Sequence, residues 1–373
     1  MRGNMEKVVI VHRWSDIDPR CNKIIRSLLE DNFEVIFIGI KTENALVDNT
    51  LDIYCNKYKR ILYTQKSNDR KDVLINLLPF IFFVLKNIIV IKPEFVHCVN
   101  EEIAIIVKPL KKYFYEYLIL DLFDSLCLRI RIKSKIVRNI LYWLCSFVYN
   151  IADDIIVTDE KRKELIPSIY KCKVNVIYNT PDFLPKERKF VDKNKLFKIC
   201  VMGSIGKPKG IKQLLDAIQD LSDVEIIALG NLFDDYAKNE FINSDKVKYL
   251  GSFSNVESME IAAKTDLVFA FYEPVSTNNI YASPNKLFEA MCLGIPILIN
   301  SEVKMSELVN EYHIGATCSY YDISGIRRII VNFSKMDVSE KNTIRKNGQN
   351  IFINKFSWKE SKKILKGIYL SKR

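Results

Sequence analysis

The chain has 373 residues, of which 48% are apolar, 11% aromatic and 27% charged. This apolar content excludes intrinsic disorder, and only 12 Gly and 11 Pro exclude collagen-like and low-complexity chains. Because a single core rarely grows beyond about 250–300 residues, the length predicts two domains. The net charge of +11 favours anionic partners, namely phosphates, anionic lipid or nucleic acid.

The cysteine pattern and the apolar stretches indicate the cellular setting. Nine scattered cysteines without close pairs are typical of a reduced, intracellular protein. We recognise no signal peptide, since Met1–Lys7 lead directly into four apolar residues. The longest apolar stretch, Leu74–Ile91, contains two asparagines, a proline and a lysine, so we expect a buried helix rather than a membrane span. These features predict a cytoplasmic protein that is soluble or peripheral to the membrane.

The first half of the chain alternates short apolar runs with helical patterns, which is typical of parallel βαβ units. A helix is predicted over Arg20–Glu30. The predicted strands are Lys7–His12, Glu34–Ile40, Phe95–Val99, Tyr117–Leu120, Ile155–Val157 and Val174–Ile177.

The second half repeats this pattern. A helix is predicted over Ile211–Leu221, and the predicted strands are Lys198–Met202, Glu225–Leu229, Lys248–Leu250, Leu267–Phe271 and Ile297–Asn300. The charged segment 181–195 is typical of a linker, so we predict an α/β protein with doubly wound domains over 1–180 and 196–356. Sheets of this kind bind ligands beyond the carboxyl ends of their strands.

A glycine-rich turn follows the first strand of the second domain. Gly203 to Gly210 read Gly-Ser-Ile-Gly-Lys-Pro-Lys-Gly and lead into a helix. Glycines let backbone amides approach an anion, the start of the helix adds partial positive charge, and Lys209 supplies a full charge. The turn matches neither a P-loop nor GxGxxG. An ordinary strand-to-helix turn with exposed lysines is the alternative interpretation.

A second motif lies between two predicted strands. Pro284 suits the first turn of a helix that Ser283 would cap and Gly294 would end. Within it, Glu289 stands among apolar residues, where a carboxylate needs hydrogen-bond donors such as ribose hydroxyls. A solvated charge on the helix surface is the alternative.

The chain strongly resembles the retaining glycosyltransferases of family 4. These enzymes have the GT-B fold, in which two Rossmann-like domains face each other across a cleft. In the second domain the resemblance rests on Val247–Gly251, Asp266–Tyr272, Ser283–Met291 and Gly294–Pro296. In the first domain it rests on Asp18–Arg20, Lys92–His97, Leu120–Asp124, Ala152–Thr158 and Val176–Pro181, and Phe356–Trp358 resembles the start of a helix (357–373) that returns to the first domain.

The resemblance implies roles on the donor side. Glu289 would bind the ribose of a nucleotide sugar, and Lys209 would contact the diphosphate and act in catalysis. The other residues implied to bind the donor are Gly203, Ser204, Asn279, Ser283, Asn285, Lys286 and Leu287. Two positions depart from the family: Ser204 stands where an arginine is frequent, and Tyr281 stands eight positions before Glu289 in place of a second glutamate. The nearest earlier carboxylate is Glu273.

The resemblance also implies an acceptor side in the first domain, formed by Asp18, Arg20, His97 and Asp124, with Asp121 as a second catalytic residue. Many family members carry a histidine where this chain has Phe123. His97 fits a core histidine equally well. Asp16-Ile-Asp18 superficially matches a metal-binding DxD motif, but its place before Pro19 favours an N-cap for Asp18. We therefore expect no essential divalent metal and no cofactor.

One basic segment indicates a membrane. Arg129–Arg138 carries five positive charges and no acidic residue, and an apolar, aromatic segment follows it. This combination suits an anionic membrane surface. A solvated stretch before a core helix is the alternative.

The function implied by the resemblance is transfer of a sugar from a nucleotide-diphosphate sugar to a hydroxyl of a saccharide or lipid-linked saccharide, in cell-surface polysaccharide synthesis. A nucleotide-sugar epimerase of similar fold is an alternative. A catalytically silent scaffold in a polysaccharide-assembly complex is another, suggested by Ser204, Tyr281 and Phe123. We expect no nucleic-acid partner, since the chain has no recognised module or basic tail for one.

Overall fold

A computed structural model of the chain describes residues 5–13, 18–42, 51–54, 56–67, 70–129, 134–183 and 196–372. The chain divides into two compact units. Unit 1 comprises Met1–Tyr178 and Ser361–Arg373, and unit 2 comprises Asn179–Glu360. Most of the predicted linker, residues 184–195, lies outside the described residues.

Unit 1 is built on a parallel sheet of seven strands in the order β3-β2-β1-β4-β5-β6-β7. The strands are β1 Lys7–Val11, β2 Glu34–Thr42, β3 Tyr58–Gln65, β4 Phe95–Val99, β5 Tyr117–Leu122, β6 Asp154–Val157 and β7 Val174–Val176. The central strands are buried because helices cover both faces of such a sheet.

The helices of unit 1 connect these strands. They are α1 Pro19–Glu30, α2 Arg70–Ile75, α3 Leu77–Ile91, α4 Glu101–Val107, α5 Leu126–Arg129, α6 Lys135–Ile151 and α7 Glu160–Lys163. Parallel crossovers are right-handed, so connections that run in opposite directions along the sheet lie on opposite faces. The connections through α3, α4 and α6 therefore share one face, and α1 lies on the other.

Unit 2 contains a parallel sheet of six strands in the order β10-β9-β8-β11-β12-β13. The strands are β8 Phe197–Ile205, β9 Val224–Leu232, β10 Val247–Tyr249, β11 Leu267–Ala270, β12 Ile297–Asn300 and β13 Gly315–Cys318. The helices are α8 Ile211–Ile218, α9 Asn255–Ala262, α10 Thr277–Ile280, α11 Asn285–Leu293, α12 Glu307–Glu311, α13 Ile323–Lys335, α14 Val338–Ile351 and α15 Trp358–Leu370, the last of which continues into unit 1.

The predicted fold class, two doubly wound Rossmann-like domains, is confirmed by these two sheets. Each predicted strand is present, with ends that differ by at most a few residues. The sequence did not predict β3 or β13. The predicted helix over Ile211–Leu221 ends earlier, at Ile218.

The expectation of a buried helix over Leu74–Ile91 is wrong. Two helices, α2 and α3, occupy this stretch, and α3 buries only Phe80, Val84 and Ile88. These three residues recur every four positions, so they form a single stripe against the domain, while Leu77, Leu78, Phe82, Ile89 and Val90 are exposed. Within the described part of the chain, no helix is long and apolar enough to cross a bilayer.

Candidate functional site

A cavity of about 290 Å³ lies at the carboxyl ends of β8 and β11 in unit 2. It is lined by Val201, Met202, Gly203, Ser204, Lys209, Phe269, Ala270, Phe271, Tyr272, Ser283, Asn285 and Lys286. None of these lining residues is Asp or Glu. Two lysines thus give the cavity a positive lining at the edge where sheets of this kind bind ligands.

Backbone contacts on three sides fix the glycine-rich turn at the mouth of this cavity. The amide of Lys207 donates to Asp234 Oδ2 over 2.6 Å, and its carbonyl accepts from the Tyr320 hydroxyl over 2.8 Å. The carbonyl of Pro208 accepts from the Glu273 amide over 2.9 Å. Because its own polar groups are used in this way, the turn is preorganised around Lys209.

Two glycines permit the close packing of this turn. Gly210 has a φ of +71°, and a Cβ there would lie 2.6 Å from Phe271 Cβ. Gly230, on the neighbouring strand, has a φ of +128°, and a Cβ there would lie 1.9 Å from the carbonyl oxygen of Gly203. A larger residue at either position would displace the backbone beside the cavity.

Lys209 lies against an aromatic ring at the cavity wall. Its Nζ atom is 3.9 Å from the centroid of the Tyr272 ring, within the range of a cation–π interaction. Asn300 holds Tyr272 in place, accepting from its amide over 2.8 Å and donating to its carbonyl over 3.1 Å. Burial raises the pKa of the Tyr272 phenol, so the ring stays neutral beside the lysine.

The second cation, Lys286, pairs with the glutamate singled out in the sequence. Its Nζ donates to Glu289 Oε2 over 2.7 Å, while Asn255 Nδ2 donates to Glu289 Oε1 over 3.1 Å. Glu289 is buried, and these donors satisfy its charge. The solvated helix charge considered for Glu289 is therefore excluded.

The start of α11 differs from the prediction. Pro284 is the N-cap residue, without a side-chain hydrogen bond, and the helix begins at Asn285. Ser283 therefore precedes the cap and lines the cavity instead. A proline cannot donate at the first turn, which makes it compatible with this boundary. Gly294 ends the helix in the left-handed conformation, as predicted.

The structure brings together six of the predicted donor-side residues. Gly203, Ser204, Lys209, Ser283, Asn285 and Lys286 all line the cavity. Leu287 is buried in the core, and Glu289 lies behind the lining in contact with Lys286. The side chain of Asn279 donates to the carbonyl of Glu273 over 2.7 Å and so orders the loop that precedes α11.

In unit 1, three of the predicted residues form a buried cluster. Arg20 donates to both carboxylate oxygens of Asp121, over 2.9 and 3.3 Å, and to the carbonyl of Ile177 over 2.7 Å. His97 Nε2 lies 3.4 Å from Asp121 Oδ2, and its Nδ1 lies 2.8 Å from the Tyr369 hydroxyl. Arg20 of α1 thus binds Asp121 of β5, and His97 of β4 contacts the Tyr369 hydroxyl of α15.

These three side chains are buried. Arg20, His97 and Asp121 are at most 1% exposed, and the acceptor-side and catalytic roles expected for them stay predictions. Burial alone would raise the pKa of Asp121, but the Arg20 guanidinium and His97 outweigh it and hold the pKa below its ordinary value. The cluster is ionic and closed.

The two other acceptor-side residues have local partners. Asp18 caps α1, accepting from the amides of Arg20 and Cys21, which confirms the predicted N-cap. Asp124 is half-exposed and pairs with Arg162 over 3.1 Å. Asp16, the other half of the DxD-like motif, lies outside the described residues. Among the residues that are described, no group of three or more His, Cys, Asp or Glu is arranged to hold a metal ion.

Sequence reasoning missed several residues that support the site. They are Asn255, Tyr272, Asn300 and Tyr320, which hold Glu289, Lys209 and the turn. Only Asn255 carried a local signal, because it follows Ser254 in an S-x-x-E capping box that starts α9. The other three contact residues that are distant in sequence, so no local pattern indicates their roles.

Together, the two doubly wound sheets define a protein of the GT-B class. No protein-family model matches the chain, and no curated protein matches it. Among solved structures, it is similar to a sucrose-phosphate synthase from Thermosynechococcus elongatus, with 13% identity, a TM-score of 0.75 and 98% of each chain covered.

Two further structures have the same architecture. Anabaena HepE in complex with UDP-glucose is 15% identical, with a TM-score of 0.70 over 98% of this chain and 100% of that one. WaaG, a glycosyltransferase involved in lipopolysaccharide biosynthesis, is 10% identical, with a TM-score of 0.65 over 97% and 99%. At these identities the likeness defines the fold.

Proposed function

We propose that the chain is a retaining glycosyltransferase of the family 4 type. It moves a hexosyl group from a nucleotide-diphosphate sugar to a hydroxyl of a saccharide or lipid-linked saccharide, in cell-surface polysaccharide synthesis. The observation that carries the proposal is the cavity of unit 2, where the glycine-rich turn and the start of α11 meet with Lys209 and Lys286 in one lining.

The chemistry of this lining fits a diphosphate. The ammonium group of Lys209 attracts an anion, Lys286 adds hydrogen-bond donors while it pairs with Glu289, and the small residues Gly203, Ser204 and Ser283 leave space beside them. The turn needs no rearrangement to accept the ligand, because Asp234, Tyr320 and Glu273 already hold it. Preorganised charge of this kind is the main source of electrostatic stabilisation in enzymes.

The same lysines have a role in the reaction. As the glycosidic bond to the diphosphate breaks, negative charge grows on the departing oxygens. Lys209 and Lys286 therefore bind the transition state more strongly than the bound donor and lower the barrier. No metal ion is required for this role in our proposal, so adding a chelator should leave the rate unchanged.

Retention of configuration follows in this proposal from attack on the same face as the departing group. Retaining hydrolases instead use a carboxylate nucleophile and a second carboxyl group about 5–5.5 Å away. Our proposal has no protein nucleophile of this kind. The acceptor hydroxyl would pass its proton to the departing diphosphate.

Two named structures support the substrate class. HepE binds UDP-glucose in the solved complex, and WaaG is involved in lipopolysaccharide biosynthesis. Both share the fold of this chain, so a nucleotide-sugar donor and a saccharide acceptor are the substrates that we propose for it.

Thermal shift tests the donor directly. We expect one nucleoside diphosphate and its sugars to raise the unfolding midpoint by binding the native state, and nucleosides without phosphate to leave it unchanged. Incubation with the selected donor alone should give at most slow hydrolysis, and transfer should need an added acceptor. A new nucleotide sugar made without acceptor would identify an epimerase, and no response to any nucleotide would favour a scaffold.

A further inference from the structure

The outer side of α3 is an apolar surface. Phe80, Val84 and Ile88 face the domain, whereas Phe82 is 69% exposed and Val90 is 73% exposed. Further apolar residues of this helix that are exposed are Leu77, Leu78 and Ile89. Exposed apolar residues grouped on one side of a helix are typical of a contact with a partner or a membrane.

The first half of α6 is exposed in the same way. Its buried residues, Cys145, Val148 and Tyr149, all lie in the second half, while Trp143 in the middle is 66% exposed. Ile136, Val137, Ile140 and Tyr142 are also exposed. Of the predicted membrane segment Arg129–Arg138, residues 130–133 lie outside the described residues, and Lys135 and Arg138 are exposed.

The two helices belong to one continuous surface. Helix α4 lies between them and contacts both, and the three share a face of the sheet. The turn after α4 contacts α3, and its Lys108 Nζ lies 5.0 Å from the centroid of the Phe147 ring in α6. Beyond it, Lys112 is exposed and Tyr113 is 82% exposed. We call the exposed side of α3, α6 and residues 108–113 the α3–α6 face.

The segments that form this face and its surroundings are rich in basic residues. Residues 73–93, 103–115 and 125–152, each bounded by acidic residues, contain ten lysines and arginines and no Asp or Glu. Seven of the ten have described side chains, and among these Lys111 pairs with Asp153. These seven are Lys86, Lys92, Lys108, Lys111, Lys112, Lys135 and Arg138.

We propose that the α3–α6 face binds an anionic lipid bilayer. Exposed apolar side chains would enter the boundary between headgroups and acyl chains, Trp143 and Tyr113 would lie at that boundary, and the lysines and arginines would meet the lipid headgroups. Each basic residue near such a surface contributes roughly 1 kcal/mol, or about fivefold in partitioning. An anionic lipid surface attracts positive charge over its whole area, so it can contact basic residues that are spread along this face.

Vesicle flotation of the full chain tests the proposal. We compare vesicles of phosphatidylcholine with vesicles in which about a third of the lipid is phosphatidylglycerol, at low and high salt. We expect binding to the anionic vesicles at low salt, at least tenfold weaker binding to the neutral ones, and loss of binding as salt screens the charges. Equal binding to both, or to neither, would overturn the proposal.

Two variants separate the contributions of charge and of apolar contact. Lys108→Glu with Lys112→Glu should weaken binding at least about 25-fold. Phe82→Ser with Val90→Ser should weaken binding to anionic vesicles, and the binding that remains should depend on salt as in the wild type. The matched controls are Lys238→Glu with Lys346→Glu and Val338→Ser with Ile353→Ser, at exposed sites of unit 2, and they should bind as the wild type does.

A second copy of the chain is the competing occupant, and light scattering without lipid distinguishes it. If the chain forms a concentration-dependent dimer, and the variant Phe82→Ser with Val90→Ser is a monomer, the face serves self-association. This result would overturn the lipid proposal. A monomer at all concentrations, together with flotation on anionic vesicles, supports it. Because all the substituted residues are exposed, circular dichroism should confirm that every variant folds.

Discussion

The two units differ at the carboxyl ends of their central strands. In unit 2 the ends of β8 and β11 carry Gly203, Ser204 and Ala270 and open into a cavity lined by lysines. In unit 1, β4 and β5 carry His97 and Asp121, and Arg20 fills the space beside them. The sheets have the same parallel architecture, so the size and charge of a few side chains decide whether a strand end opens into a cavity or is filled by its own side chains.

The comparison also separates two uses of charge. Asp121 is neutralised inside the fold by Arg20, whose third contact, to the carbonyl of Ile177, ties the cluster to the last strand of the sheet. In unit 2, Lys209 lines a cavity and contacts the uncharged ring of Tyr272, whereas Lys286 lines the same cavity and pairs with Glu289. A buried, paired charge contributes to structure, whereas a charge beside open space is available to a ligand.

The largest effect is expected in the closed cluster. Asp121→Asn should lower the free energy of unfolding at neutral pH by about 3–5 kcal/mol, because it leaves the buried Arg20 charge without its partner. Denaturant titration measures this. Asp220→Asn, at an exposed carboxylate near Arg327, should cost at most about 1 kcal/mol.

The loss should depend on pH. Since the pKa of Asp121 is held below its ordinary value, its contribution to stability is full above about pH 4 and disappears as the pH falls through the lowered pKa. The wild type and Asp121→Asn should therefore converge in stability in acid. A difference that stays constant with pH, or full stability of the variant at neutral pH, would show that the ion pair is not what holds the cluster.

A smaller but functional effect is expected in the open cavity. Lys209→Ala should lower the rate of sugar transfer about 10²–10³-fold, the loss typical of removing a group that stabilises a developing anion. The midpoint of unfolding should change little. Lys212→Ala is the control, since Lys212 lies on α8 in an exposed pair with Asp216. Unchanged turnover in Lys209→Ala would remove this residue from the mechanism.

The smallest effect concerns the support of the turn. Tyr320→Phe removes the hydrogen bond to the carbonyl of Lys207 and should weaken donor binding about fivefold, as expected for about 1 kcal/mol. Calorimetric titration with the donor measures it. Tyr321→Phe, at the exposed neighbouring ring, should bind the donor as tightly as the wild type. Equal affinities of the two variants would contradict a positioning role for Tyr320.

Much of the fold could be predicted from sequence because central parallel strands are continuous apolar runs. The strands that were missed, β3 and β13, are edge strands. β3 contains Lys59, Arg60 and Thr64, none of which is buried, and β13 is only four residues of small and polar type. The burial of helix α3 was predicted wrongly, since hydropathy does not distinguish an apolar side that faces a core from one that faces outward.

The sequence likewise predicted only part of the candidate site. Local strings identified the turn at Lys209 and the end of α11 at Gly294, because glycines and lysines are neighbours in sequence, but they misassigned the N-cap of α11 to Ser283. The closure of the unit 1 cluster could not be read in this way, since Arg20 and Asp121 are 101 residues apart. Tyr320 is likewise 113 residues from the turn that it supports.

Hydrogen–deuterium exchange with and without the donor that thermal shift selects tests the contrast between the two strand ends most directly. The donor should slow exchange in peptides covering 203–212 and 282–289 of unit 2, and it should leave those covering β4 and β5 unchanged. Protection of the peptides around His97 and Asp121, with none at the turn of Lys209, would contradict the assignment of the donor to unit 2.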